Sequence, residues 1–172
     1  MNKPKRIFII GHMGAGKGIL AKTLAEKLGW KFVDADFGLE HMTSKTLTEI
    51  LGKQGEETFQ HSQTQIVEHL IKQENIVVTT DSSILATEKS RKLLSTEYVV
   101  YLKVSLPIQV ERYAHNYIAL LPATNHKAFL EKLHHERNDL FEKAASFSLS
   151  SDDGEIEKHV ASIIKAYSAH ES

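Results

Sequence analysis

The chain has 172 residues, of which 41% are hydrophobic and 25% charged, the balance of a soluble globular protein rather than a disordered one. At this length one domain with a shared core is expected. Lys plus Arg number 21 against 22 Asp plus Glu, a net charge of −1, so there is no global basic field to hold a nucleic-acid backbone. There are no cysteines, which excludes disulfides, thiolate metal sites and thiol catalysis.

The basic stretch Met1–Arg6 precedes an apolar run, Ile7–Ile10, that is too short for a secretory signal core (about 7–15 residues) or a membrane span (about 18 or more). A cytoplasmic protein with no membrane partner is expected. Lys5–Ile10 reads as a strand buried on both faces. Leu20, Leu24 and Leu28 recur on one helical face, and Gly29 stops that helix. Trp30–Val33 is a second strand that runs into Asp34-Ala35-Asp36. Phe59, Ile66, Val67, Leu70 and Ile71 mark a helix, and Ile76-Val77-Val78 a third strand that ends at Thr79-Thr80-Asp81. Ile84–Leu94 is expected to be helical and Tyr98–Leu102 to be a fourth strand. Ser105 and Pro107 suit a helix start, with that helix reaching about His115. Residues 116–126 lack any period and read as a mobile loop. Phe129–Ala145 is helical, Phe147–Leu149 a short edge strand, and Ile156, Val160, Ile163, Ile164 and Tyr167 form a last amphipathic helix. Strands that alternate with helices of this length imply a three-layer α/β fold, a parallel sheet with helices on both faces. Ligands of such sheets bind beyond the carboxyl ends of the strands.

Gly11, Asp34, Asp36 and Asp81 all fall at those ends. The run Gly11-His12-Met13-Gly14-Ala15-Gly16-Lys17 fits the phosphate-binding pattern G-x-x-x-x-G-K between a strand and a helix. Its glycines let backbone N–H groups turn toward phosphate oxygens, the helix N-terminus adds its dipole, and Lys17 reaches the β and γ phosphates. Nucleotide binding by Gly11, Met13, Gly14, Ala15, Gly16, Lys17, Gly18 and Ile19 follows, with Lys17 also catalytic. His12 can reach a ligand through its backbone or its ring. The full pattern places Ser or Thr after the lysine to ligate Mg²⁺, whereas Gly18 and Ile19 carry no hydroxyl. The apolar strand that ends in Asp81 resembles the strand whose aspartate helps to hold Mg²⁺ in phosphate-loop enzymes. Asp81 either shares a metal shell with Asp34 or caps the helix expected near Ile84. No paired histidine motif suggests a His-held metal among the ten histidines.

With the phosphate loop, the Asp34-Ala35-Asp36 pair, Gly55-Glu56-x-x-Phe59 expected to open a helix and Glu136-Arg137-x-x-Leu140-Phe141, the chain resembles the shikimate kinases from Arg6 to about Tyr167. The resemblance implies a phosphate-loop kinase fold with sheet order 2-3-1-4-5 and a lid at about 113–127. It also implies transfer of the ATP γ-phosphoryl group to a ring hydroxyl of shikimate, with Mg²⁺; a monomer is expected, and a diverged small hydroxylated acceptor is the variant that the departures below suggest. On it, Asp34 would hold a water of the metal shell, and Asp36 would meet the acceptor hydroxyl as base or by orienting it. Arg112 would pack on adenine, and Arg137 would grip the acceptor carboxylate.

Departures fall on the acceptor side. Gln60 stands where the family has a second carboxylate-binding arginine, Asp81-Ser82-Ser83 where it has three glycines, and Ile118 where it has the lid arginine. Substrate contacts are thus expected from Asp36, Gln60, Asp81 and Arg137. The alternative is a catalytically weak nucleotide-binding relative with a regulatory or interaction role. A nucleoside monophosphate kinase, suggested by the Gly16-Lys17-Gly18 run alone, ranks below both.

Overall fold

The computed structural model describes residues 5–43, 45–116 and 123–171. Five strands, β1 (Arg6–Ile10), β2 (Lys31–Ala35), β3 (Ile76–Thr80), β4 (Tyr98–Lys103) and β5 (Phe147–Ser150), form a parallel sheet in the order β2-β3-β1-β4-β5. The helices are α1 (Lys17–Leu28), α2 (Leu39–Thr43), α3 (Leu47–Leu70), α4 (Glu88–Leu94), α5 (Leu106–Asn116), α6 (Ala123–Ala144) and α7 (Ile156–Glu171).

The two-residue period of β1 explains the layers. Ile7 and Ile9 face α1 and α7, where they pack with Leu20, Leu24, Ile163 and Tyr167. Phe8 and Ile10 face the opposite way into a core that holds Val67, Leu94 and Phe141 from α3, α4 and α6. With both faces covered, β1 and β3 contain only buried residues, which is why they read as unbroken apolar runs.

The N-terminal end of β1 is clamped. Arg6 meets Glu97 through two contacts, Nε to Oε1 at 2.6 Å and Nη2 to Oε2 at 3.1 Å, while its Nη1 donates to the Gln73 carbonyl at 2.9 Å. A two-pronged guanidinium–carboxylate pair is geometrically specific, and both side chains are buried.

The elements differ from the sequence reading in four places. Ile84–Thr87 are turns, and α4 starts only at Glu88, because Thr87 is the residue whose side chain caps it, accepting from Ser90 N. The helical stretch that holds Gly55 opens just after Gly52, whose φ of 72° and ψ of 169° break the helical geometry, so Gly55 stands in its first turn; the part of α3 before the break, from Leu47 with Thr46 as its cap, is additional. The short α2 carried no recognisable period. Residues 123–126, expected in a loop, open α6; residues 117–122 of the expected lid, Ile118 among them, lie outside the described residues. Among the described residues, no helix is long and apolar enough to cross a membrane.

Gly11 ends β1 with φ of +149°, and a Cβ there would lie 2.5 Å from the backbone carbonyl oxygen of Leu102. Gly11→Ala is therefore expected to lower unfolding free energy by about 3 kcal/mol or more, measured by urea denaturation.

Candidate functional site

Beyond β1 the chain wraps through residues 11–16 into α1. Gly14 and Gly16 have φ of 78° and 92°, left-handed values that side chains disfavour. Gly16 is the N-cap of α1 and supplies no side-chain bond, so the first amides of the helix are left for an anion. The loop encloses one side of a cavity of about 330 Å³ lined by Met13, Gly14, Gly16, Lys17, Gly18, Asp34, Asp36, Gly38 and Thr79. Glycines, a cation and a helix N-terminus around that volume suit a polyphosphate chain. Ile19 stands exposed at the start of α1.

Lys17 is almost fully buried. Its Nζ donates to the carbonyls of Gly11 (2.6 Å) and His12 (3.5 Å) and lies 3.7 Å from Asp36 Oδ2. Burial pulls the ammonium below its ordinary pKa, against the opposing pull of the Asp36 and Asp81 carboxylates. Burial likewise pushes the Asp36 carboxyl upward, with Lys17 drawing it back. Asp36 is fixed by Gly38 N, which donates to its Oδ1 at 3.0 Å. Asp34 accepts from Thr79 Oγ1 and from Asp36 N, both at 2.9 Å. The structure thus brings Lys17, Asp34 and Asp36 to one cavity.

Asp81 turns elsewhere. Its Oδ1 accepts from Ser83 N (3.1 Å) and Ser83 Oγ (2.7 Å), closing the turn after β3, so it caps this turn and not the helix expected near Ile84. Among the described residues no group of three or more His, Asp or Glu gathers to hold a metal. The oxygen donors present, Asp34 and Asp36 beside the phosphate cavity, nonetheless match Mg²⁺, which uses one or two carboxylates together with substrate phosphates and retained waters.

Arg112 spans from α5 to the loop: Nη1 donates to the Gly14 carbonyl (3.0 Å), the Ala15 carbonyl (3.4 Å) and Ser151 Oγ (3.1 Å), and Nη2 to the Ser151 carbonyl (2.5 Å). It joins the phosphate loop to the segment after β5.

Gln60 and Arg137 meet in a second cavity of about 410 Å³, which also receives Glu40, Glu49, Glu56, Ser83, Lys132 and Glu136. Arg137 is engaged there by a buried partner that sequence reading missed. Its Nη1 lies 2.8 Å from Glu40 Oε1, its Nη2 donates to Glu40 Oε2 at 3.0 Å, and Nη1 also donates to Ser82 Oγ at 3.2 Å. Glu40 Oε2 accepts from Leu47 N as well. Nothing in the spacing of Glu40 signalled this pair, because it is α2 that carries the residue to α6. Gln60 Nε2 donates to Glu56 Oε1 at 3.3 Å.

His12 departs from expectation in its ring, which turns toward α6 and does not line the phosphate cavity. It is 1% exposed; its Nε2 lies 2.6 Å from Asn138 Oδ1, and it stacks on His134 with centroids 4.0 Å apart. Burial drives its pKa down to about 3. An unfolded chain therefore takes up this proton below about pH 6.5 while the native state does not, so stability falls as the pH drops through that window. Between pH 7 and pH 5 the wild type should lose about 2 kcal/mol more than His12→Gln, measured by urea denaturation at both pH values; equal losses would refute this.

A family model described as shikimate kinase matches residues 13–168. The shikimate kinase of Vibrio parahaemolyticus is 32% identical over 155 residues, covering 89% of this chain and 90% of the relative. That of Buchnera aphidicola is 29% identical over 167 residues, covering 95% and 96%. Among solved structures, a shikimate kinase from Acinetobacter baumannii in complex with shikimate matches with a TM-score of 0.79 at 27% identity, over 98% of this chain and 95% of that one.

Proposed function

This chain belongs to the shikimate kinase family, and on that premise we propose that it transfers the γ-phosphoryl group of ATP to a ring hydroxyl of shikimate. The observation that carries the reading is the approach of Lys17 to Asp36 within 3.7 Å in the cavity that the phosphate loop encloses. Loop amides and Lys17 hold the phosphates, and Lys17 neutralises charge that gathers on the transferring group. Asp36 accepts the hydroxyl hydrogen or orients the hydroxyl, while the attacking oxygen bonds to phosphorus and the bridging oxygen leaves with ADP. A carboxyl pushed upward by burial is better matched to that exchange than an ordinary aspartate.

Mg²⁺ supplies charge neutralisation at the phosphates when bound, and Asp34 is the residue that would hold it through water, with Asp81 near enough to act on Lys17 electrostatically. Arg112 packs on adenine from its place between loop and Ser151. Arg137 and Gln60 receive the acceptor carboxylate, which must then share Arg137 with Glu40. We further propose a single-domain, monomeric, cytoplasmic enzyme with its lid near residues 113–127.

The test is ADP release in the presence of ATP, Mg²⁺ and shikimate. Shikimate-dependent release is expected, and Asp36→Asn should cut kcat about 10²–10⁴-fold. Lys17→Met should remove ATP binding, measured by calorimetry. ATP binding without release on any acceptor would leave a nucleotide-binding protein and reject the kinase reading. Gln60→Arg, which adds a charge-assisted hydrogen bond, should lower the KM for shikimate about tenfold or more while leaving that for ATP unchanged.

A further inference from the structure

Between the phosphate loop, α5 and α6 lies a polar chain in otherwise apolar surroundings. Gln109 of α5 is fully buried; its Nε2 donates to the Met13 carbonyl at 2.7 Å, and its Oε1 lies 2.7 Å from His134 Nε2. His134 of α6 stacks on His12 at 4.0 Å with the rings 6° from parallel, and His12 Nε2 lies 2.6 Å from Asn138 Oδ1. The acceptors set the tautomers. Both Gln109 Oε1 and Asn138 Oδ1 can only accept, so both rings carry hydrogen on Nε2. Met13, Leu130, Leu133 and Phe141 are buried around the chain.

We propose that Gln109, His134, His12 and Asn138 are positioning residues that preset the phosphate loop for its anion. This rests on the phosphate-loop reading above. In a trans peptide the carbonyl and the following N–H point in opposite directions. Gln109 draws the Met13 carbonyl outward and so turns the Gly14 N–H inward. Arg112, one helical turn along the same face of α5, holds the carbonyls of Gly14 and Ala15 outward; the Ala15 N–H closes onto the His12 carbonyl at 3.3 Å, so it is the Gly16 N–H that is turned inward. His134 fixes which end of the Gln109 amide meets the loop, and the His12–Asn138 bond ties the loop's first shoulder to α6. Burial keeps both histidines neutral, lowering the pKa of each, so two stacked rings do not repel. Donors held in place before the ligand arrives need no reorganisation when it binds.

Calorimetry with ATP and with inorganic pyrophosphate, beside steady-state kinetics, tests the assignment. Gln109→Leu and His134→Phe should each raise the Kd for both probes about tenfold, and the double variant little further, because the two side chains act as one unit. His134→Gln, which retains a donor, should stay within about threefold of wild type, and the KM for shikimate should be unmoved in all. Should Gln109→Leu fail to fold, the His134 pair decides. Folded variants that bind pyrophosphate as wild type does would overturn the inference alone. So would a loss spread equally over shikimate and ATP, the mark of a general structural defect. A wild type that binds neither probe would overturn the phosphate-loop reading and the inference together.

Discussion

The buried ammonium of Lys17 is the constraint around which this molecule is arranged. A cation removed from water is costly unless surrounding groups replace its hydration. Here the replacement comes from two carbonyls of the loop that bears it and from a carboxylate at the end of a neighbouring strand. Those carbonyls are available only because the chain turns sharply at Gly11, and that turn is open only to a residue without a side chain. The sheet order follows the same logic: β3 and β2 lie on the same side of β1, and their ends bring Asp36 and Asp81 within electrostatic reach of one charge. An arriving phosphate chain offers the ammonium better partners than its own backbone, so the loop is held in readiness by contacts that ligand exchanges for its own.

The side proposed for the acceptor is governed by a second ion pair of different character. Arg137 and Glu40 are both largely buried, and their attraction is bidentate, so an incoming carboxylate enters a region whose cation is already balanced. Glu49, Glu56 and Glu136 line the same cavity as Lys132, which makes the surroundings acidic on balance. Affinity for an anionic acid there comes from geometry more than from net charge. Gln60 adds no positive charge to that balance.

The sheet and the phosphate loop were legible in the sequence because their signals are local. An apolar run, three spaced glycines and a lysine mean the same thing wherever they occur, and β1, β3 and the loop fell where those signals placed them. Asp34 and Asp36 were found by their position at a strand end. Glu40, Gln109, His134 and Asn138 were not, since each matters through a partner far away in the chain: 97 residues separate Glu40 from Arg137 and 96 separate Gln109 from Met13. The i, i+3 spacing of Gln109 and Arg112 was the one available hint that both face the same target. The part of α3 before Gly52 was not legible, because a few residues after the Thr46 cap are too short to show a helical period.

The clamp of Arg6 on Glu97 and Gln73 sits at the opposite end of β1 from the loop. Cohesion of the central strand is thereby anchored where no ligand comes. Positions that line the cavities, such as Gln60 and Gly18, can change in chemistry without loosening the scaffold beneath them. A lineage built this way is free to retune what it accepts while inheriting its frame unchanged.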